Sequence, residues 1–261
     1  MLPPPLVPEL AKRLYEARKN RTQLRHFSRD HPQMTIEDSY AIQREWVKLE
    51  LADGHTIKGR KIGLTSRAMQ QASQITEPDY APLMNDMFFD SGTDIPVERF
   101  IAPRVEVELG FVLEKPLRGP GVTLTDVLQA TAYVTPALEI IDSRVADWKI
   151  KLGDTVADNA SSARIVLGTT CSPVDAVDLR LVGGILEKNG EVLYTAAGAA
   201  ALGDPAIAVA WLANKLATFD ILLRAGEIIL PGAVTKASPV ERGDTIRATY
   251  DRLGSVSVKF V

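Results

Sequence analysis

The pattern of hydrophobic and polar positions changes period near residue 56. Leu10, Leu14 and Ala17 recur at helical spacing behind Pro8, and Ile36, Tyr40, Val47 and Leu51 mark a second stripe. Residues so spaced share one face of a 3.6-residue turn, so both segments are predicted helices. Thr35 with Asp38 three residues on reads as a capping box opening the second helix, and Gly54 supplies its stop. From residue 57 the chain becomes short β-type runs punctuated by Gly, Pro and Asp. VEVELGFVL (105–113) alternates, LEII (138–141) is a short apolar run, and Asn189-Gly190 between GGILEK and EVLY predicts a type I′ hairpin. DTIRATY and SVSVKFV form a further hairpin around residues 251–254. Two helices interrupt the strands. One is capped by Thr123 with Asp126, and the other spans 205–217, where Val209, Leu212 and Leu216 share a face. Hairpins dominate and clear βαβ alternation is absent, so the expectation is an α+β fold whose sheet is mixed or largely antiparallel and rolls around a pocket. Its organisation reads as a helical region over 1–56, then one structural unit over 57–261.

Bulk properties narrow the function classes. The 261 residues are 46% apolar and 24% charged, with a net charge of −3. That balance excludes a disordered chain and a polyanion-binding surface, so nucleic acid is not an expected partner. The start, MLPPPLVPEL, lacks the basic end and continuous apolar core of a secretory signal. No run approaches the ~18 apolar residues of a spanning helix, so the expectation is a cytoplasmic chain with no membrane partner. Cys171, the one cysteine, has no basic neighbour in TTCSP and reads as packing or loop. Trp46, Trp148 and Trp211 are far apart and read as core or interface anchors.

Candidate chemistry lies in the strands. Along VEVELGF successive side chains alternate, so Val105, Val107, Leu109 and Phe111 take one face while Glu106 and Glu108 share the other. At a rise of ~3.3 Å per residue the two carboxylates stand about 6 to 7 Å apart. Glu139 sits in PALEII among Leu138, Ile140 and Ile141, where an ionised carboxylate is costly unless paired or bound to metal. If the three converge, repulsion raises their pKa values unless a cation lies between them. All-oxygen ligation favours a hard ion such as Mg²⁺ or Mn²⁺ over zinc. The histidines, His26, His31 and His55, lie far upstream without ligand spacing to the cluster. Plainer readings stay open: Glu106 and Glu108 as a solvated strand face, and Glu139 as a helix or loop residue.

Five segments carry a family likeness. GRKIGLTS (59–66), EPDYAPLMNDMF (77–88), PRVEVELGFVL (103–113), PALEIIDSR (136–144) and DTVADNASS (154–162), with the closing GSVSVKFV, occur in this order. Together they resemble the hydratase and decarboxylase branch of the fumarylacetoacetate hydrolase superfamily, from about residue 10 to the C-terminus. The resemblance implies a mixed β-roll with an N-terminal helical region, commonly as a homo-oligomer. It places a metal triad on Glu106, Glu108 and Glu139, and catalytic residues on Lys61 and Asp79. Thr65, Ser66, Asp158, Asn159 and Ser161 become candidates for substrate hydrogen bonds, with ordinary loop chemistry as the alternative. Ala233 in LPGAV stands where relatives often carry glycine or serine, which removes a possible hydroxyl contact.

The activity so implied is metal-dependent addition of water to a 2-hydroxy-2,4-dienoate or 2-oxo-enoate in aromatic meta-cleavage catabolism. The substrate is a small molecule of the 2-oxo-hept-4-ene-1,7-dioate or 2-oxopent-4-enoate type. ITEPDYAPLMNDMFFDSG resembles enzymes of the longer diacid and DWKIKLGDTVADNAS those of the shorter acid, which leaves chain length open. Burial and a nearby ion are expected to lower the Lys61 pKa toward working pH. Rival readings are decarboxylation of a 2-oxo-3-hexenedioate, acylpyruvate C–C hydrolysis using His26 or His31, and a non-catalytic partner subunit. A complex with a related decarboxylase is a further expected partnership.

Overall fold

The computed structural model describes residues 1–66, 70, 71, 75–148 and 151–261. Three helices come first: α1 (Leu6–Asn20), α2 (Phe27–Asp30) and α3 (Ile36–Ala52). The capping box of α3 is formed, with Asp38 N donating to Thr35 Oγ1 at 3.2 Å and Thr35 N to Asp38 Oδ2 at 3.0 Å. Gly54 follows the helix at φ 90°, a backbone state glycine adopts without Cβ strain.

The buried face of α3 differs from the predicted apolar stripe. Ile36, Tyr40 and Val47 are half-buried and Leu51 is exposed, whereas Ser39, Ile42, Gln43, Trp46 and Glu50 are buried. The longer polar side chains there find partners on other elements. Gln43 Nε2 donates to the carbonyls of Tyr80 and Val156 at 3.1 Å each, and Arg18 Nη1 donates to Glu50 Oε2 at 2.5 Å. Apolar periodicity is blind to a buried polar residue whose partner lies elsewhere in the chain.

The strands β1 (Ile57–Gly63), β2 (Asp79–Met84), β3 (Phe88–Asp90), β5 (Arg104–Leu113), β6 (Thr131–Ile141), β7 (Ser162–Leu167), β10 (Ile228–Leu230) and β11 (Ser238–Pro239) make one eight-stranded sheet. Its order is β2-β1-β10-β5-β6-β7-β3, with β11 also on β5. A second sheet orders β4 (Asp94–Ile95), β13 (Gly254–Phe260), β12 (Thr245–Tyr250), β8 (Gly183–Lys188) and β9 (Glu191–Ala197). Most pairs are antiparallel, while β1–β10, β3–β7 and β4–β13 are parallel, so the sheets are mixed as expected. Asn189 at φ 56° and Gly190 at φ 85° close the β8–β9 hairpin, and β12 pairs with β13 through the second expected turn. The inserted helices are α4 (Leu124–Ala130), capped by Thr123, a short α5 (Leu152–Ala157) and α6 (Pro205–Ala217). No helix among the described residues is long and apolar enough to cross a membrane.

Alternation along the strands sends side chains into two cores. Val105, Val107, Leu109 and Phe111 pack with Val256 and Val258 of β13 and with Val209, Leu212 and Leu216 of α6. The opposite face of the large sheet, carrying Ala137, Ile165 and Leu230, is covered by Leu10, Leu14, Ile42 and Trp46. Trp46 is 2% exposed, with the Arg18 guanidinium over its ring. Trp46→Ala leaves a cavity between helices and sheet. It should cost about 3–5 kcal/mol in a urea unfolding titration.

Candidate metal centre and active site

The β5–β6 ladder builds the site. Glu106 stands directly opposite Glu139, and Glu108 opposite Ala137. Directly opposed residues of an antiparallel pair point to the same face with Cβ atoms ~4.5–5.5 Å apart, so Glu108 lies one diagonal step from Glu139. One carboxylate oxygen from each of Glu106, Glu108 and Glu139 falls within 4.8 Å of the others. Glu139 and Glu108 are buried, while Glu106 is half-buried and lines a cavity of about 520 Å³.

Two of the three carboxylates, Glu139 and Glu108, are held by specific donors or a cation. Ser162 Oγ donates to Glu139 Oε1 at 3.0 Å, and the Gly232 amide donates to Glu108 Oε2 at 2.9 Å. Gly232 has φ 119°, and a Cβ there would overlap Thr65 Oγ1, so the amide reaches Glu108 only because the residue is glycine. Lys61 Nζ lies 3.0 Å from Glu139 Oε2 and donates to the Ala160 carbonyl at 3.2 Å. The Lys61–Glu139 contact is close but not aligned as a hydrogen bond, which leaves Glu139 Oε2 a buried oxygen without a hydrogen-bond partner. Asp79 stands opposite Gly63 in the β1–β2 pairing and fills the space a Cβ of Gly63 would take. It is buried, and its Oδ1 is likewise unpartnered.

The electrostatics follow from burial and crowding. Burial, opposed by Lys61 and reinforced by Glu139, pushes Glu106 up to about 7, and burial with the Glu139 charge pushes Glu108 well above the carboxylate range. Burial also raises Asp79, against the pull of Lys61. Burial lowers the Lys61 pKa as expected, while the uncompensated charges of Glu139, Asp79, Glu106 and Glu108 oppose it and hold it above the ordinary lysine value. Three mutually repelling carboxylates, one unpartnered buried oxygen and an all-oxygen donor set fit a hard divalent cation, which Glu106, Glu108 and Glu139 would hold.

The other candidates divide. Thr65 and Ser66 line the main cavity with Lys61, and Ala233 does too. Asp79 instead borders a second cavity of about 360 Å³ with Tyr40 and Glu77. Asp158, Asn159 and Ser161 line neither cavity. Asp158 Oδ1 accepts from Arg144 Nε at 2.6 Å and its Oδ2 from the Arg144 amide at 2.9 Å. Asn159 Nδ2 donates to the Pro82 carbonyl at 3.0 Å, and buried Ser161 Oγ has no partner. Asn159, Ala160 and Ser161 run in succession at φ 49°, 50° and 56°. Left-handed backbone at non-glycine residues costs about 1 kcal/mol or more each, so this turn persists only because its surroundings fix it. Arg144 does so through the carbonyls of Asp142, Asp158 and Ser162. The turn thereby presents the Ala160 carbonyl to Lys61 and Ser162 Oγ to Glu139. His26 and His31 line neither cavity.

Ser162, Gly232 and Arg144 are therefore site residues that sequence reading missed. Ser162 closes the DNASS segment and Gly232 sits in LPGAV, so both lay inside segments already singled out; what was absent was the partner. Removing the hydroxyl in Ser162→Ala should weaken divalent-ion binding about 10- to 100-fold by calorimetric titration with Mg²⁺, the usual effect of losing a ligand's supporting hydrogen bond.

The model of the fumarylacetoacetate hydrolase C-terminal family matches residues 59–261. The chain is 52% identical over 258 residues to the 2-oxo-hept-4-ene-1,7-dioate hydratase of Escherichia coli, covering 97% of each. It is 44% identical over 252 residues to the 2-keto-4-pentenoate hydratase of Paraburkholderia xenovorans, covering 97% of this chain and 94% of the relative. Among solved structures it is similar to the 4-oxalocrotonate decarboxylase from Pseudomonas putida G7 complexed with magnesium and adipate. That likeness has a TM-score of 0.97 at 39% identity, over 100% of this chain and 99% of the other. Fold, site segments and relatives agree that this chain belongs to the fumarylacetoacetate hydrolase family.

Proposed function

We propose that this chain is a divalent-metal-dependent hydro-lyase of aromatic meta-cleavage catabolism. It adds water to a 2-hydroxy-2,4-dienoate by way of its 2-oxo-enoate tautomer and yields a 4-hydroxy-2-oxo acid. One observation carries the reading. Glu106, Glu108, Glu139 and Lys61 converge at a cavity of about 520 Å³ in a chain 52% identical to a hydratase.

A magnesium or manganese ion on the three glutamates, when bound, supplies a Lewis acid for the substrate's C1 carboxylate and C2 oxygen. The remaining work is proton transfer. As the dienol becomes the 2-oxo-enoate, O2 loses a proton and C5 gains one; water then bonds through oxygen to C4, and C3 gains a proton. Lys61 lines the cavity beside Glu139, which places its Nζ to carry a proton to the substrate's carbon chain. Asp79, buried within electrostatic reach of Lys61 and bordering the second cavity, exchanges protons with it, and water is supplied from that cavity. Thr65 and Ser66 orient the substrate from the cavity wall. In the same reading the chain works as a cytoplasmic homo-oligomer and associates with a related decarboxylase, and 57–261 form one catalytic unit behind the helices of 1–56.

Decarboxylation of a 2-oxo-3-hexenedioate is a second reading, favoured by the TM-score of 0.97 to a decarboxylase. Both reactions need an enolate stabilised at the same end of the substrate. They separate by product. On a panel of 2-hydroxy-dienoates with Mg²⁺ or Mn²⁺, the purified chain should form a 4-hydroxy-2-oxo acid. EDTA should abolish turnover, and Glu106→Gln should reduce it by more than the ~10- to 100-fold typical of an outer partner. Carbon dioxide release without a hydroxylated product would establish decarboxylation instead, and full activity in EDTA rules out the metal site.

A further inference from the structure

The large cavity has two chemically different ends. The strand alternation that puts Glu106 and Glu108 on one face of β5 puts Arg104 on that face as well, about 6 to 7 Å before Glu106 at ~3.3 Å per residue. Arg104 lines the cavity and is half-buried. Its guanidinium stacks on Trp148, 4.6 Å from the ring centroid, and Trp148 Nε1 is itself fixed by donating to the Ala102 carbonyl at 3.0 Å. Stacking sets the plane of the guanidinium and leaves its edge open. Among the described residues Arg104 enters no ion pair and donates no side-chain hydrogen bond. An arginine held in a fixed plane and lining a cavity, whose charge reaches Glu106 without forming an ion pair with it, is built to receive a carboxylate.

We propose that Arg104 binds a second, distal carboxylate of the substrate, so that this site is selective for seven-carbon 2-oxo diacids over the corresponding monoacids. The proposal rests on the hydratase reading for the orientation of the substrate, with C1 and C2 at the glutamates. From there an extended seven-carbon chain has six C–C bonds, each projecting about 1.25 Å, and reaches about 7 to 8 Å. That span brings its far carboxylate to the Arg104 end. A five-carbon monoacid ends short of it with nothing to pair. Lys236 also lines the cavity but is exposed, where a flexible ammonium contributes little selectivity.

The test compares the Mg²⁺-loaded wild type with R104Q, R104K and K236Q. Calorimetry measures binding of 2-oxoheptanedioate and of 2-oxoheptanoate, which lacks only the far carboxylate. Wild type should prefer the diacid, and R104Q should lose that preference by about 10- to 100-fold, the range of a charge-assisted pair. R104K should keep part of it, and K236Q should shift it by less than about threefold. The ratio of kcat/KM for 2-hydroxyhepta-2,4-diene-1,7-dioate over 2-hydroxypenta-2,4-dienoate should fall in parallel with R104Q. Equal losses on diacid and monoacid would show a merely structural Arg104 and overturn the proposal, as would a wild type without preference or a larger effect from K236Q. Absence of hydration by wild type would defeat the hydratase reading alone, because the binding comparison still decides Arg104.

Discussion

In the β5–β6 ladder Glu106 is paired with Glu139, and Glu108 follows one pair further along the same face. A slip of one residue would turn Glu139 into the core between the sheets, where Leu138 and Ile140 now sit among valines and leucines. The charge would then be buried without a partner. The register is held from the opposite face, because Val105, Val107, Leu109 and Phe111 fill the inter-sheet core only in this alignment. The apolar half of two long strands thus fixes where the acidic half meets.

A fixed acidic cluster is unfavourable in itself, and much of the surrounding structure offsets it. Lys61 from β1, Ser162 at the start of β7 and the Gly232 amide after β10 each bring a positive or donor group to one of the three glutamates. Those elements lie on both sides of β5–β6 in the sheet order, so the site depends on the sheet as a whole. The left-handed turn at 159–161 belongs to the same arrangement. Its strain is sustained by the buried Arg144, whose Asp158 partner neutralises it and whose remaining donors take carbonyls of the turn and its neighbours. The helical layer contributes through Gln43, which ties α3 to the Tyr80 carbonyl next to Asp79 and to the Val156 carbonyl of α5.

Legibility in the sequence tracked the range of the interaction. Capping boxes at Thr35 and Thr123, the Asn189-Gly190 turn and the alternation of 105–111 are written within a few residues, and they formed as read. The buried face of α3 was misjudged because Ser39, Gln43 and Glu50 are buried by tertiary contact, with partners for Gln43 and Glu50 coming from other elements. The surroundings of Lys61 show the same dependence: its burial was foreseeable, but the carboxylate charges that oppose the effect of burial come from three other strands. Asp158 looked like a pocket residue from its segment, yet its carboxylate is occupied by Arg144, fourteen positions earlier in the chain. Local patterns expose a residue's capacity; only the fold shows whether that capacity is already used.

The same distinction bears on what sets reaction and substrate apart. Hydration and decarboxylation of a 2-oxo acid both build negative charge at O2, so the glutamate end of the cavity serves either and does not choose between them. In the proposed mechanism the choice falls to Lys61 and Asp79, through which a proton and a water would reach the carbon chain. Substrate length, in the same proposal, falls to the other end. A far carboxylate keeps its charge throughout either reaction, so a guanidinium there binds ground state and transition state alike and acts on KM more than on kcat. Arg104 and the glutamates, on one face of one strand, can therefore carry selectivity and chemistry as separable functions.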